Sequence, residues 1–173
     1  MAFPDDFETA RLSAERLTPA HLDAIRLMDT NPEYMAHLGG VRDSAQTEAY
    51  LARNLAHWTE YGFGLWVLRD KPHGQLAGRA CLRHLPIDGV DEVEVGYGFL
   101  PTYWGRGLAT EIAAACRRYA EAPIGVPSLI ALTLPTNHGS RHVMTKIGMV
   151  YERDIDHEGV RHVLYRTSPK PAA

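Results

Sequence analysis

At Gly62 the pattern of apolar positions along this chain changes from helical to extended. From Ser44 to about Tyr61 the residues Ala45, Ala49, Leu51, Ala52, Leu55 and Trp58 predict one amphipathic helix. Upstream, Thr9 to Leu17 reads as a strand, and Thr18 with Pro19 at the first helical position opens a helix. Asn31-Pro32 breaks that helix, and Gly39-Gly40 ends the short turn after it. Downstream, Gly64 to Arg69 and Gln75 to Leu85 flank the turn Lys71-Pro72-His73-Gly74 and predict a hairpin. The turn Asp88-Gly89 leads to a third extended segment, Glu92 to Leu100.

A helix from Leu108 to Glu121, a strand from Ser128 to Leu134, and a helix from about Asn137 to Lys146 ended by Gly148 follow. Met149 to Ile155 and Val160 to Thr167 close the chain as a hairpin. This order predicts an α/β (α+β) fold, a mixed sheet covered by helices with one parallel crossover.

Composition narrows the class. A chain of 173 residues with 45% hydrophobic content is expected to form one domain spanning 1–173, with a core at about 8–167 and a loose tail at 168–173. A formal net charge of -3 without a basic run predicts no nucleic-acid partner. Cys81 and Cys116 fall in apolar runs and read as buried free thiols of a reducing cytosol. The acidic start MAFPDDFETARL lacks the apolar segment of a signal peptide, so a cytoplasmic location is expected. The uncharged span Ala122 to Ser140 is interrupted by Pro123, Pro127 and Pro135, so no membrane helix is expected. His138 and His142 stand four apart without an intervening H-E-x-x-H glutamate or an obvious third ligand, so no metal is expected.

The chemistry concentrates in Pro101 to Glu111, PTYWGRGLATE. Gly105 and Gly107 allow a tight turn and close ligand approach, and the first amides of the following helix lack intrahelical partners. Phosphate oxygens satisfy such amides, and the helix dipole adds attraction. The motif follows the fourth strand of a meander, unlike a dinucleotide fold, and it lacks P-loop spacing. Gly96 and Gly98 within the preceding strand mark either splaying, which leaves amides free for an extended ligand such as pantetheine, or a bend with no ligand.

Strand, WGRGLATE and helix together resemble the acetyl-coenzyme A signature of the GNAT acetyltransferases, Gln/Arg-x-x-Gly-x-Gly/Ala, aligned on Trp104, Gly105, Arg106, Gly107, Leu108 and Ala109. Trp104 departs from the first position, as is typical of the branch resembling the Rim-type ribosomal-protein N-terminal acetyltransferases. Glu94 to Tyr97, Asn137, Ser140, Lys146, Gly148, Met149, ARLSAERLT and GFGLW are similar to the same branch. The resemblance spans nearly the whole chain. It implies a mostly antiparallel sheet of about seven strands with about four helices, splayed at the fourth and fifth strands.

It also implies acetyl-coenzyme A as cosubstrate and an amine as acceptor. Amides near Tyr97 to Phe99 would face the thioester carbonyl, and Leu100 leads to amides from Arg106 to Thr110, with Gly105, Gly107, Leu108 and Ala109, around the pyrophosphate. Arg106 adds charge there or is solvent-exposed. Asn137 binds pantetheine or caps its helix, and Arg141 approaches the adenosine end.

For the base, Glu94 shares a face with Gly96 and Gly98, although the same alternation permits a solvated Glu94; Glu152 is a second acidic candidate. Many GNAT members carry a tyrosine acid seven residues after the asparagine, where this chain has Met144. Ser140 is then the acid or a capping residue.

The expected activity is direct acetyl transfer to a primary amine of a protein N-terminus or a small molecule, by a monomer or homodimer. Neither cysteine adjoins a motif that would make an acyl-enzyme. Near neutral pH about a quarter of an α-amine is neutral, against about one lysine side chain in a thousand, and a weakly placed base is adequate for the first. The alternative is a coenzyme A-binding module without catalysis.

Overall fold

The computed structural model describes residues 5–168. Eight strands and five helices follow one another as β1 (Phe7–Glu8), β2 (Leu12–Arg16), α1 (Leu22–Asp29), α2 (Pro32–Met35), α3 (Ser44–Tyr61), β3 (Leu65–Asp70), β4 (Leu76–Ile87), β5 (Val90–Phe99), α4 (Leu108–Tyr119), β6 (Ile130–Thr133), α5 (His138–Lys146), β7 (Met149–His157) and β8 (Val160–Thr167). The strands form one sheet in the order β1-β2-β3-β4-β5-β6-β8-β7. Every neighbouring pair is antiparallel except β5 and β6.

The sheet differs from the expected seven strands at its start. Instead of running unbroken from Thr9 to Leu17, the chain turns at residues 9–11, where the Thr9 amide donates to the Leu12 carbonyl at 2.9 Å. The Leu12 amide in turn donates to the Thr9 hydroxyl at 3.1 Å, so a threonine side chain closes the turn. The fifth helix is the single turn α2, where the Asn31 carboxamide accepts the Tyr34 amide at 2.9 Å behind Pro32. Helix α4 ends at Tyr119, two residues early, and backbone geometry leaves the helical region at Ala122. The tail expected at 168–173 lies outside the described residues beyond position 168.

Both late hairpins use two-residue turns with positive φ at both positions, Asp88-Gly89 (49° and 80°) and Glu158-Gly159 (54° and 77°). Such turns match the twist of the flanking strands and fix register. Helix α3 is closed at its start by the reciprocal Asp43 and Gln46 hydrogen bonds and at its end by Gly62 at φ 71°. The core is built on Leu12, Trp66, Leu68, Leu82, Ile112 and Leu129, all almost fully buried. A smaller cluster of Ile87, Ile130, Ile155 and Leu164 fastens β6 and β8 to the β4–β5 hairpin.

One consequence of this topology positions the site. β4 pairs with β5 over its length, from Gly78 opposite Phe99 to Ile87 opposite Val90, whereas β5 meets β6 at one register position, Glu94 opposite Ile130. Beyond that point the two parallel strands part, as expected for the fourth and fifth strands.

Candidate active site

The glycine turn is held from outside as well as by its own backbone. Gly105 and Gly107 have φ of 72° and 75°, and Gly107 is the residue preceding α4. A side chain at either φ would be strained. The Arg11 guanidinium donates to the Arg106 carbonyl at 2.7 Å and to Glu111 at 2.7 Å, and the Thr9 hydroxyl donates to Glu111 at 2.6 Å. The β1–β2 turn therefore straps the glycine turn through the first turn of α4. Burial opposes ionisation of Glu111, but these hydrogen bonds outweigh it and hold the carboxyl below its ordinary pKa. Trp104 donates its indole N–H to the Phe99 carbonyl at 2.7 Å, and Arg106 lies over the Tyr103 ring at 5.3 Å.

Where β5 leaves β6, a cavity of about 900 Å³ opens, lined among others by Glu94, Gly96, Tyr97, Asn137, Ser140 and Met144. The Leu100 amide donates to the Ala77 carbonyl at 2.9 Å. Antiparallel alternation then directs the Gly98 and Gly96 amides to β4 and those of Tyr97 and Phe99 toward the parted side. Gly96 and Gly98 answer to close packing within the protein. A Cβ at Gly98 would lie 2.8 Å from the Tyr34 hydroxyl, and one at Gly96 would lie 2.9 Å from the Cys81 sulfur.

Two polar groups meet the gap from opposite sheet faces. Glu94 is 6% exposed and accepts from Arg83, its cross-strand partner, at 2.6 Å. Its register puts it on the face of Arg79, Cys81, Gly96 and Gly98, which excludes the solvated alternative for Glu94. On the other face the Tyr97 hydroxyl donates to the Ser140 carbonyl at 3.1 Å and lies 3.2 Å from the Ser140 hydroxyl. Burial pushes the Tyr97 phenol up to about 12, against the Ser140 hydrogen bond, so it stays protonated at neutral pH. Asn137 caps α5 by accepting the Ser140 amide at 3.2 Å while donating to Thr133 at 3.0 Å.

Other expected residues stand apart. Gly105 to Thr110, Phe99 and Leu100 do not line the cavity, nor does Arg141, which donates to the Tyr165 hydroxyl at 3.2 Å and the Pro135 carbonyl at 3.0 Å. Glu152 is also outside, bound to Arg166, which lowers its pKa. Cys81, read as a buried free thiol, lines the cavity, where burial raises the pKa of its thiol.

The sequence reading missed a polar wall on the Glu94 face. Asp29, fully buried at the end of α1, accepts from Arg42 at 2.8 Å, from Arg79 at 3.0 Å and from the Thr47 hydroxyl at 3.0 Å. An arginine inside the apolar β4 run LAGRACL was the available signal, because a buried charge requires a partner. Arg11 carried no local signal.

Residues 11–150 match the family described as Acetyltransferase (GNAT) domain. The chain is 33% identical to the YkkB protein of Bacillus subtilis over 75% of each chain. It is 30% identical to the FsC-acetyl coenzyme A-N(2)-transacetylase of Aspergillus fumigatus, over 83% of this chain and 64% of that protein. Among solved structures it is similar to an acetyltransferase from Agrobacterium tumefaciens (TM-score 0.83, 26% identity, 96% and 95% of the two chains). It shares its fold with the Salmonella typhimurium acetyl transferase that modifies the N-terminal serine of ribosomal protein L7/L12 (TM-score 0.76, 13% identity, 97% and 99% of the two chains). With the strapped glycine turn and the parted β5 and β6 beside these matches, the chain belongs to the GNAT family of acetyltransferases and is an acyltransferase enzyme.

Proposed function

We propose that the protein moves an acetyl group from acetyl-coenzyme A to a primary amine, of a protein N-terminus or a small molecule, by direct transfer in a ternary complex. The observation that carries this reading is the cavity that joins Glu94 on one sheet face to the Tyr97–Ser140 hydroxyl pair on the other. An amine and a thioester entering from opposite faces would meet between them.

The residues present fit the cosubstrate. Gly105 and Gly107 offer an open turn at a helix start for the pyrophosphate, with amides from Arg106 to Thr110 as donors and the Arg106 side chain as added charge. Leu108 and Ala109 form the first turn of that helix, and Leu100 joins it to β5. Asn137 stands beside the path of the pantetheine, and Arg141, held by Tyr165, is assigned to the coenzyme's outer end. The Tyr97 and Phe99 amides supply donors for the negative charge that develops on the thioester oxygen.

Glu94 accepts the proton that the ammonium must lose, directly or through water, while Arg83 fixes its orientation. The amine nitrogen forms a bond to the acetyl carbon as the carbon–sulfur bond breaks. The leaving thiolate takes a proton from the Ser140 hydroxyl, which Tyr97 holds by a hydrogen bond and which regains one through water from the second proton that the acylated nitrogen sheds. Tyr97 thus supplies the phenol missing at Met144, from a different element. The cavity thiol, Cys81, is kept protonated by burial, which disfavours an acetyl-cysteine route.

The test is thiol release from acetyl-coenzyme A across a panel of amines. Glu94→Gln is expected to lower kcat about a hundredfold, with cofactor affinity kept. Coenzyme binding without thiol release for any amine would instead establish a binding module, and failure to bind acetyl-coenzyme A would end both readings.

A further inference from the structure

We propose that the acceptor is a primary amine that carries a carboxylate, and that Arg53, Arg42 and Tyr50 on the Glu94 face of the cavity recognise that carboxylate. The inference rests on the acetyl-transfer reading above and names its substrate class.

The observation is an imbalance of charge around one ring. The guanidinium carbons of Arg42, Arg79 and Arg53 lie 4.3 Å, 4.6 Å and 5.8 Å from the centre of the Tyr50 ring. All four residues line the cavity. Among the described residues this cluster has one paired carboxylate, Asp29, which Arg42 and Arg79 share through the same oxygen. Arg53 is exposed and has no ion-pair partner among the described residues. Arg79 is 6% exposed, and beside its single oxygen partner its second terminal nitrogen reaches only the Met35 sulfur, at 3.9 Å. Of the other charged groups on the cavity wall, Arg83 is neutralised by Glu94, and Glu158 sits at the tip of the β7–β8 hairpin.

Guanidinium groups pair with carboxylates in a planar fork, and aromatic stacking holds those planes in place before the ligand arrives. The same excess of positive charge repels an ammonium ion and so lowers the pKa of an amine bound nearby. One wall thus anchors the anionic end of the acceptor and eases deprotonation at the other end by Glu94. A polyamine or a lysine-rich peptide meets repulsion at both steps.

Free amino acids and short peptides with an acidic second residue share this chemistry, and acceptor pairs separate them. Initial rates of thiol release are compared for an amino acid and its carboxamide, and for dipeptide amides with Glu or Gln in second place. The charged member of one pair is expected to exceed its neutral partner by about tenfold in kcat/KM, as one charge-assisted hydrogen bond supplies. The pair showing it identifies the source. In Arg53→Gln, whose thermal melt checks folding, that preference is expected to shrink toward unity.

Equal rates within both pairs, or a preference that survives Arg53→Gln undiminished, would overturn the proposal. If no amine releases thiol, the transfer reading fails. Equilibrium dialysis of the same two pairs in radiolabelled form, an amino acid against its carboxamide and a Glu against a Gln dipeptide amide, then decides the carboxylate site separately, with selective retention of the charged member of either pair supporting it and equal retention within both pairs refuting it.

Discussion

The two ends of the candidate site are built by opposite means. At the glycine turn, residues adjacent in sequence, Gly105 to Glu111, present backbone amides, and one distant turn, Thr9 to Arg11, fastens them through Glu111. At the polar wall, residues from α1, the α2–α3 connection, α3 and β4 converge through side chains on Asp29 and Tyr50. Backbone recognition depends on local φ and ψ, and suits a cosubstrate whose phosphates are constant. Side-chain recognition depends on packing, and can change with the acceptor while the sheet stays the same.

If the two ends are independent, damage to one leaves the other intact. The largest effect is expected at Asp29. Asp29→Ala strands the 6% exposed Arg79 without its carboxylate, so a loss of about 3–5 kcal/mol is expected in urea denaturation, with the folded fraction keeping its acetyl-coenzyme A affinity. An equal weakening of cofactor and acceptor binding would show that the two ends behave as one.

Glu111→Gln is the converse. With Arg11 half exposed, a stability loss of about 1 kcal/mol is expected, together with a several-fold rise in acetyl-coenzyme A Kd and an unchanged acceptor KM. The folded pKa of Glu111 lies below its ordinary 4.5, so its contribution is complete above that pH and is lost as pH falls through the folded value. The acid limb of the stability curve is therefore expected to be shallower in Glu111→Gln than in the wild type.

The smallest effect is expected between the two ends. Tyr97→Phe removes a hydroxyl whose hydrogen bonding is worth about 0.5–1.5 kcal/mol, so thiol release should slow by about tenfold or less. A rate loss matching that of Ser140→Ala would identify the hydroxyls as one unit, and an unchanged rate would leave Ser140 acting alone.

Much of the glycine-turn end was legible because it follows from local backbone geometry. Gly105, Gly107 and the helix after them are where the pattern put them, and Asn137 opens α5. The face of Glu94 also followed from strand alternation. The partnership of Tyr97 with Ser140 was not legible, since 43 residues separate two hydroxyls that meet only because β5 and β6 part. The extra strand was missed for a similar reason, as a Thr9 side chain replaced a backbone bond and folded an apparently continuous run into a turn.

The sequence by itself determined most of the elements, the hairpin turns and the glycine turn, because helix period, positive φ and capping act within a few residues. The tertiary structure alone decided which charges line the cavity and which are cancelled. Arg79 stands out in its apolar run, but its partner Asp29, 50 residues away, does not, and burial against one another makes them the base of a cationic wall.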